Sequence, residues 1–316
     1  VMAMDVAVLM DPIESISIKK DSTFAMLLEA QRRGHRLHYL TQDSLRIRNG
    51  VAEASLRSLV VADRASGWFE LGLEQIAPLG SMDVILLRKD PPFDSQFLYD
   101  THVMDLAQRA GALVVNDPQG LRDLNEKLAA LLFPQCTPVT LVARDPTELR
   151  RFVMQEVDCV LKPLDGMGGR SIFRARSNDD NLNVILETLT LGGQQFALAQ
   201  RYLPSIAQGD KRILLINGEP IDYALARIPT GSDFRGNLAA GGRGVGQALS
   251  ERDRWIAAQV GPEMRRRGMV FVGMDVIGDF LTEVNVTSPT CIRELDAQFG
   301  LNIAGNLFDQ IEQMRK

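Results

Sequence analysis

Cysteine and histidine are both scarce in this sequence, with three residues of each among 316. The cysteines, Cys136, Cys159 and Cys291, lie far apart and show neither the spacing of a zinc site nor that of a disulfide framework. The histidines are scattered, with no cysteine or nucleophile pattern nearby, and we interpret them as structural or surface residues. The cysteine usage predicts a reducing, cytoplasmic environment.

Long apolar runs are also lacking, and none approaches the length of a membrane-spanning helix. No charged-then-apolar leader with a cleavage site opens the sequence. The net charge is only −5, with acidic and basic residues interspersed, which argues against a nucleic-acid-binding groove. We therefore expect neither a membrane nor a nucleic acid as a partner. The length and the 45% hydrophobic content suffice for two or three packed units.

A dinucleotide-binding fingerprint is missing too, because no G-x-G-x-x-G follows the first predicted strand, Met4 to Met10. This absence disfavours a nicotinamide oxidoreductase. Ser22 is predicted to cap a helix from Thr23 to Arg33, and a strand from Arg36 to Leu40 follows. Strand, helix and strand in this spacing predict an open α/β sheet. We assign residues 1–120 to an N-terminal α/β substrate-binding domain.

Basic residues follow a later strand of this first unit, in the stretch Arg88-Lys89-Asp90-Pro91-Pro92. Open α/β sheets bind ligands beyond the carboxyl ends of their strands, so Arg88 is a candidate for substrate binding. The alternative is a polar turn before the two prolines.

The rest of the chain is predicted to form two α+β units, at 121–203 and 204–316. A helix is predicted from Gly120 to Leu132, and prolines interrupt the chain shortly afterwards. In the last unit Asn217-Gly218 is a type I′ turn signal between two strands. Ser250 and Asp253 resemble a capping box that starts a helix.

A glycine-rich loop lies between two predicted strands of the middle unit, in C-V-L-K-P-L-D-G-M-G-G-R-S at 159–171. Gly166, Gly168 and Gly169 allow the backbone to turn tightly and direct N–H groups at an anion. Lys162 precedes the loop, and a strand follows it, so it is not a Walker A loop. The lysine and the loop together can hold the phosphates of a nucleotide. The alternative interpretation is an ordinary glycine-rich hairpin with no ligand.

Glycine is also concentrated in residues 229–246, which contain almost no large apolar side chains. Such a segment cannot pack a core of its own, so it is predicted to be a mobile loop. Arg235 and Arg243 would allow it to close on a ligand as a lid. A disordered linker is the alternative.

The stretch G-M-D-V-I-G-D-F-L-T-E-V-N-V-T-S-P at 273–289 predicts a β-hairpin that turns at Gly278-Asp279. Alternation in its second strand assigns one face to Leu281, Glu283, Asn285 and Thr287, and the other to Phe280, Thr282, Val284 and Val286.

A carboxylate and a carboxamide two residues apart, Glu283 and Asn285, can hold a hard cation such as Mg²⁺. Asp275 joins them if the register places it opposite Glu283, which requires a three-residue loop; a two-residue loop pairs it with Thr282 instead. The alternative is an edge hairpin with a solvated polar face.

Six motifs in order resemble those of the bacterial glutathione synthetases, which belong to the ATP-grasp superfamily. They are N-E-K at 125–127, K-P-L-D-G-M-G-G at 162–169, D-K-R at 210–212, A-R-I-P at 226–229, R-G-N-L-A-A-G-G-R-G at 235–244, and D-V-I-G-D-F-L-T-E-V-N-V-T-S-P-T at 275–290. The resemblance covers nearly the whole chain, including M-D-P near the start and R-K-D-P-P-F-D at 88–94.

This resemblance implies a Rossmann-like pre-ATP-grasp domain followed by a two-subdomain ATP-grasp fold that holds ATP between its subdomains. The positions that it assigns to ATP are Lys127, Lys162, Gly166, Met167, Gly168, Gly169, Gln200, Arg201, Tyr202, Leu203, Asp210 and Arg212. Residues 200–203 would be the hinge whose backbone reads adenine, and Asp210 would lie near the ribose. Asp275, Glu283 and Asn285 would hold two Mg²⁺, for which Mn²⁺ could substitute. Arg170 after the loop and Arg201 in the hinge depart from the usual pattern of the family.

The resemblance further implies ATP-dependent ligation of γ-glutamylcysteine with glycine through an acyl phosphate, in the cytoplasm and in a homotetramer. Lys162, Arg212 and Arg235 are the predicted catalytic residues. The predicted substrate-binding residues are Arg88, Arg227, Arg235, Ser288, Thr290 and Arg293, and the arginines are chosen because guanidinium pairs bidentately with carboxylate.

Two other functions are compatible with part of the pattern. Other ATP-grasp ligases, of the D-alanine–D-alanine or ribosomal-protein glutamate type, should share Lys162, Glu283 and Asn285 but not the arginine–glycine segment at 229–246 or the stretch at 88–94. A non-catalytic, synapsin-like ATP-binding module would be expected to have an incomplete metal-binding set.

Overall fold

The computed structural model describes residues 2–238 and 241–316. No helix in these two ranges combines the length and the apolar character needed to cross a membrane. Three sheets organise the chain, and each falls within one of the three sequence units proposed above.

The N-terminal sheet has a parallel centre, in which β2, β1, β6 and β7 lie side by side. An antiparallel hairpin, β4–β5, extends it at one end. Its strands are β1 (Asp5–Met10), β2 (Arg36–Leu40), β3 (Arg46–Arg48), β4 (Val51–Val61), β5 (Phe69–Pro78), β6 (Val84–Arg88) and β7 (Leu113–Val115). The parallel strands are apolar and buried on both faces, as expected where helices cover a sheet.

The helices of this unit are α1 (Ser22–Arg32), α2 (Ser95–Arg109) and α3 (Pro118–Asp123). The first begins one residue earlier than the sequence predicted, because Asp21 and not Ser22 is the N-cap. The Asp21 carboxylate accepts a hydrogen bond from Phe24 N at 2.6 Å, while Ser22 Oγ accepts one from Ile292 N. Two adjacent capping residues compete here, and the tertiary contact of Ser22 decides between them.

The middle sheet is antiparallel in the order β10-β9-β11-β8, and α4 (Pro146–Glu156) and α5 (Leu182–Thr190) pack on it. The strands are β8 (Thr140–Ala143), β9 (Asp158–Pro163), β10 (Phe173–Arg176) and β11 (Ala197–Arg201). Its small core joins Leu149 and Val153 of α4 to Leu186 of α5 and Leu161 of β9.

The C-terminal sheet has the order β15-β14-β12-β16-β17, with β13 beside β12. Its strands are β12 (Asp210–Ile216), β13 (Glu219–Pro220), β14 (Tyr223–Ile228), β15 (Arg243–Ala248), β16 (Phe271–Ile277) and β17 (Phe280–Asn285). The positive φ angles of Asn217 and Gly218 confirm the predicted type I′ turn.

The helices of this last unit are α6 (Glu251–Arg266), α7 (Ile292–Phe299) and α8 (Ile303–Met314). The Ser250/Asp253 capping box at the start of α6 is confirmed. Asp253 also accepts a hydrogen bond from Lys211 Nζ at 2.5 Å, so it fixes α6 to β12, the strand that carries Asp210 and Arg212.

Two sequence predictions are wrong in this part of the chain. The helix predicted from Gly120 to Leu132 is interrupted: α3 ends at Asp123, and a separate 3₁₀ helix covers Ala129–Leu132. Between them the Asn125 side chain accepts hydrogen bonds from Lys127 N and Leu128 N and turns the backbone. The segment 229–246 was predicted to be irregular throughout, but strand β15 begins within it, at Arg243. Glycine suits that strand, since a Cβ at position 246 would lie 2.3 Å from the Phe299 ring.

Asn116 connects the first unit to the last one. Its side-chain amide donates to Phe271 O at 2.9 Å and to Val286 O at 2.7 Å, and it accepts from Phe271 N at 3.0 Å. The end of β7 is therefore tied to β16 and to the residues that follow β17. This contact joins the N-terminal sheet to the predicted metal hairpin.

Candidate active site

A pocket of about 500 Å³ lies where the three units meet. The N-terminal unit contributes Asp90 and Phe93, the middle unit contributes Lys162 and the glycine loop, and the C-terminal unit contributes the ends of β12, β14, β16 and β17. Most of the predicted site residues line it, although they are spread along more than half of the chain.

Asp275 of β16 lies directly opposite Glu283 of β17, as a metal site requires. The loop between the strands nevertheless contains only Gly278 and Asp279, since Ile277 pairs with Phe280. A β-bulge between Asp275 and Val276 restores the register by leaving Thr282 as the extra residue. The prediction that a two-residue loop would pair Asp275 with Thr282 is therefore wrong.

The bulge also changes which residues share a face of β17. Leu281, predicted to lie beside Glu283, is fully buried in the core with Val284, whereas Thr282 lines the pocket with Glu283 and Asn285. Residues on the two sides of a bulge change face relative to strict alternation. As a result, one more polar side chain lies at the site.

Two arginines and two aspartates form a buried ion cluster at the base of the pocket. Arg212 Nε lies 2.6 Å from Asp275 Oδ1, and Arg227 Nη2 lies 3.1 Å from Asp275 Oδ2 and 2.9 Å from Asp210 Oδ2. Burial alone would raise the pKa of Asp275, but the two guanidinium groups outweigh it and hold that pKa well below its ordinary value. Asp275 is therefore a carboxylate at any working pH.

Asp210 belongs to the same cluster, but its pKa is shifted in the opposite direction. Burial, together with the nearby charges of Asp275 and Glu283, raises the pKa of Asp210 to about 6 against the opposing effect of Arg227. Its Oδ1 is buried and has no hydrogen-bond partner among the described residues. It is thus an available acceptor on the pocket wall, which suits a ribose hydroxyl.

Lys127 connects the metal hairpin to the glycine loop. Its Nζ donates to Gly166 O at 2.8 Å and lies 3.5 Å from Glu283 Oε1, and the residue is only 6% exposed. Lys162 lines the same pocket from β9 and is 9% exposed. Two largely desolvated ammonium groups in one pocket attract an anion strongly, because little water screens them.

Glu126 is a structural part of the site that the sequence analysis did not single out. Its carboxylate accepts hydrogen bonds from Val286 N at 2.6 Å and from Thr287 Oγ1 at 3.2 Å. Burial raises its pKa. Glu126 thereby fixes the segment after β17 beside Lys127, and only its place between Asn125 and Lys127 in the first motif could have indicated this.

The glycine loop and the predicted lid touch each other. Arg235 Nη1 donates to Gly169 O at 2.9 Å, and Asp233 holds the same guanidinium at 2.5 Å. Gly168 and Gly169 have φ angles of 62° and 74°, which glycine adopts without strain. Met167 lies between Gly166 and Gly168 on the pocket wall. Of the segment 229–246, positions 239 and 240 lie outside the described residues.

The predicted hinge, residues 200–203, also lines the pocket. The Gln200 side chain donates to Thr140 Oγ1 at 3.0 Å, and the Arg201 guanidinium binds Glu156 at 2.6 Å. Tyr202 stacks under Arg174, whose guanidinium carbon lies 3.6 Å from the ring centroid. The side chains of Gln200 and Arg201 thus bind partners outside the pocket. This explains why an arginine can occupy position 201 of the hinge, where the resemblance expects another residue type. Leu203 completes the hinge.

The predicted substrate-binding residues divide into two groups. Arg227, Arg235, Ser288 and Thr290 line the pocket, whereas Arg88 and Arg293 do not. Arg88 is buried just behind the wall, where it donates to Thr23 Oγ1 and to Pro289 O, both at 2.9 Å, and burial lowers its pKa to about 10.

Arg293 is engaged elsewhere, because it donates to Ile18 O and to Asp63 Oδ2, both at 2.6 Å. Partners so distant in the sequence could not be predicted from its position after the last motif.

The residues of the predicted metal site fit a hard cation. Asp275, Glu283 and Asn285 present oxygen donors on one face, and Asn285 Nδ2 donates to Gly273 O at 3.1 Å, which keeps its oxygen available. Within residues 2–238 and 241–316 no group of three or more histidine, cysteine, aspartate or glutamate residues is arranged for a metal. A set of two carboxylates and one amide, with room left for phosphate oxygens, suits Mg²⁺.

Two family sequence models match this chain and together cover most of it. "Prokaryotic glutathione synthetase, N-terminal domain" matches residues 4–122, and "Prokaryotic glutathione synthetase, ATP-grasp domain" matches residues 126–300. The glutathione synthetase of Xanthomonas campestris pv. campestris is 68% identical over 311 residues, which cover 98% of each chain. That of Pseudomonas putida is 59% identical over 315 residues, covering 100% of this chain and 99% of the relative.

Two solved structures with the same fold are far more distant in sequence than these relatives. D-cycloserine synthetase DcsG superposes with a TM-score of 0.68 at 14% identity, covering 98% of this chain and all of that one. The ATP-grasp ligase PsnB, complexed with a phosphomimetic variant of its minimal precursor, Mg and ADP, gives 0.63 at 18% identity, with 100% and 99% covered. These similarities confirm an ATP-grasp fold, and the identities and family matches show that the chain belongs to the prokaryotic glutathione synthetases.

Proposed function

We propose that this chain joins γ-glutamylcysteine to glycine, with ATP converted to ADP and phosphate, and that it is therefore a glutathione synthetase. The substrate assignment is supported by identities of 55–68% to glutathione synthetases over nearly the whole chain. The observation that carries the chemistry is the convergence of Lys127, Lys162, Asp275 and Glu283 on one pocket. These are the charges that a phosphoryl transfer to a carboxylate requires.

The proposed reaction has two steps, because a carboxylate does not react with an amine until it is activated. An oxygen of the cysteinyl carboxylate attacks the γ-phosphorus of ATP, ADP leaves, and an acyl phosphate forms. The glycine amine then attacks the acyl carbon, phosphate leaves, and the amine loses a proton to solvent. Neither step needs a covalent intermediate with the protein, and the charged side chains and the glycine loop on the pocket wall can position and stabilise the reacting groups.

Lys127 and Lys162 are the proposed phosphate ligands, and the loop 166–169 covers the phosphates with backbone N–H groups. We place the adenine against the backbone of 200–203 and the ribose beside Asp210. Asp275, Glu283 and Asn285 are the proposed ligands of two Mg²⁺, with Mn²⁺ as a possible substitute. When bound, these cations would neutralise charge that develops on the transferred phosphoryl group.

Arg212 is the proposed catalytic arginine, because it lines the pocket and is already positioned by Asp275. Arg227, Ser288 and Thr290 are proposed to contact the peptide substrate, with Arg88 supporting the wall from behind. Arg235 would close the pocket over the reacting groups. An acyl phosphate hydrolyses when water reaches it, so closure of 229–238 on the glycine loop protects the intermediate.

We place this activity in the cytoplasm and in a homotetramer, in keeping with the cysteine usage and the family. Sedimentation velocity on the purified chain tests the tetramer, and a monomer at micromolar concentration would contradict it.

The function is tested by phosphate release from ATP and Mg²⁺ in the presence of γ-glutamylcysteine and glycine, with each substrate omitted in turn. We expect turnover only with both, and glutathione as the product by mass. Turnover with D-alanine, or with glutamate and a peptide, in place of this pair would replace the substrate assignment and keep the ligase chemistry.

A further inference from the structure

The proposed peptide substrate carries a group that the residues assigned so far do not recognise. In γ-glutamylcysteine the side-chain carboxyl of glutamate forms the amide, so the α-ammonium and α-carboxylate of the glutamyl residue stay free. Arginines can bind the carboxylate. The ammonium requires a carboxylate or carbonyl acceptor, and burying it without one would be costly.

Most carboxylates on the pocket wall are already committed to other partners. Asp275 pairs with arginines, Glu283 lies beside Lys127, and Glu126 accepts from the backbone after β17. Asp210 pairs with Arg227 through Oδ2, and its Oδ1 is the acceptor that we assign to the ribose. Asp165 belongs to the glycine loop on the nucleotide side. A binding site for an ammonium group must therefore use a carboxylate from another part of the wall.

Asp90 is such a carboxylate, and it comes from the N-terminal unit, which contributes none of the residues proposed to bind the nucleotide. It is exposed on the pocket wall, immediately after β6 and two residues from Arg88. Ser288 Oγ donates to its Oδ1 at 2.7 Å, which is the only hydrogen bond of this carboxylate within the described chain. Its backbone N–H donates to Asp11 at 3.0 Å, so the loop itself is held as well.

We propose that Asp90, oriented by Ser288, binds the α-ammonium group of the γ-glutamyl residue and thereby selects a γ-linked peptide. This inference rests on the proposed function. An ordinary α-linked glutamyl peptide has its ammonium group on the carbon next to the amide, so it would present that group at a different distance from the reacting carboxylate. One fixed carboxylate can thus distinguish the two linkages.

The glycine amine is the other ammonium group in the reaction, and the chemistry argues against its binding to Asp90. Glycine must attack as the neutral amine, whereas a carboxylate beside it stabilises the charged form and raises its pKa. The glutamyl ammonium takes no part in bond formation and remains charged throughout. A permanent ion pair therefore suits the glutamyl group and would slow the attack of glycine.

The test compares γ-glutamylcysteine with glutaryl-cysteine, which has hydrogen in place of the α-ammonium group, as substrates of the full-length protein. We expect the wild type to prefer γ-glutamylcysteine by about 10- to 100-fold in kcat/KM, the effect of one charge-assisted hydrogen bond. Asp90→Asn should bring this ratio close to one, with the KM values for ATP and glycine within about twofold of wild type.

A purely structural role for Asp90 would lower activity on both peptides equally and leave the ratio unchanged, and that result would overturn the inference. A selective rise in the glycine KM would overturn it too. Absence of wild-type glutathione formation would instead contradict the proposed function itself. Asp94→Asn is the matched control, because Asp94 caps α2 four residues away and should leave the ratio at the wild-type value.

Ser288→Ala provides an independent measurement in case Asp90→Asn does not fold. It keeps the carboxylate but removes the hydroxyl that orients it, so the same ratio should fall several-fold without reaching one. An unchanged ratio in Ser288→Ala would show that the hydrogen bond between these two residues does not position Asp90 for the substrate.

Discussion

Asp275 lies opposite Glu283 across the β16–β17 hairpin, and the two carboxylates are stabilised by different cations. Asp275 is held by Arg212 and Arg227, whereas Glu283 lies 3.5 Å from Lys127 Nζ. Two neighbouring carboxylates repel each other unless positive charge lies between or around them. The surrounding cations compensate the charge of the pair in the free protein, and this arrangement supports the proposal that the pair holds a divalent cation.

Glu283 is the better residue for a test of the metal site, because replacing Asp275 would leave the buried Arg212 without its carboxylate and Arg227 with Asp210 alone. We expect Glu283→Gln to lower kcat about 100-fold, since a neutral amide binds Mg²⁺ more weakly than a carboxylate. The Mg²⁺ concentration for half-maximal activity should rise as well. Glu74→Gln, on the exposed strand β5, is the control. Wild-type Mg²⁺ dependence in Glu283→Gln would remove this residue from the metal site.

Lys162 provides a second test, directed at the nucleotide. The substitution Lys162→Met keeps the apolar stem inside the pocket and removes only the ammonium group. Loss of one charged contact to a phosphate should weaken ATP binding by about 10- to 100-fold. Isothermal titration with ATP measures this directly, and Lys19→Met, which changes an exposed lysine, serves as the comparison. Unchanged affinity would show that Lys162 does not contact ATP.

Most of the residues that the sequence predicted for the site line one pocket, because each motif combines a chemical group with a local backbone feature. Lysine before a glycine-rich loop, and alternating acidic and amide residues in a hairpin, are both visible within a few residues. The α/β order of the first unit follows from the same local patterns. None of these inferences depends on contacts between distant parts of the chain.

The errors arose where a distant contact decides the local structure. Leu281 enters the core because its backbone N–H donates to Cys136 O at 2.8 Å and Val284 N donates to Glu126 O at 2.9 Å. These bonds fix the outer edge of β17 and force the bulge. Strict alternation within the strand cannot reveal this, since the partners lie about 150 residues earlier in the sequence.

The N-terminal hairpin β4–β5 was not predicted for a related reason. Residues on β5 are mostly exposed, including Leu73 at 87% and Ile76 at 57%. Such a strand lacks the clear apolar face by which a sequence pattern indicates burial. β5 is held in place by its hydrogen bonds to β4 and not by burial of its own side chains.

Arg235 allows a test of the lid, since it joins the segment 229–238 to the glycine loop. The substitution Arg235→Ala should increase the amount of phosphate released per glutathione formed several-fold, because water then reaches the acyl phosphate. Parallel measurements of phosphate and of glutathione give this ratio. Arg243→Ala changes an exposed arginine at the start of β15 and should keep the ratio near one. If both variants remain fully coupled, the segment does not act as a lid.

Asp210 gives a prediction about pH, because burial raises its pKa from 3.8 to about 6. A carboxyl group that holds its proton more tightly in the folded state contributes stability below its unfolded pKa, and this contribution is lost as the pH rises through the folded value. Relative to Asp210→Asn, the free energy of unfolding of the nucleotide-free wild type should therefore fall between pH 4 and about 6. The size of the change should be about 1 to 3 kcal/mol, and it should be complete above that range.

Urea unfolding of both proteins at intervals from pH 4 to 7 measures the difference in free energy. Asp11→Asn is a suitable control, since Asp11 lies in the loop after β1, outside the ion cluster, and its exposed carboxylate pairs with Lys89. A difference that stays flat above about pH 4 would mean that Arg227 dominates and lowers the pKa of Asp210, because the stability from a lowered pKa is fully present above the ordinary value of 3.8. In that case the free Oδ1 would already be charged at pH 5, and ATP affinity would be constant between pH 5 and 7. With the pKa near 6, the affinity should instead increase over that range as the carboxylate becomes available to the ribose hydroxyl.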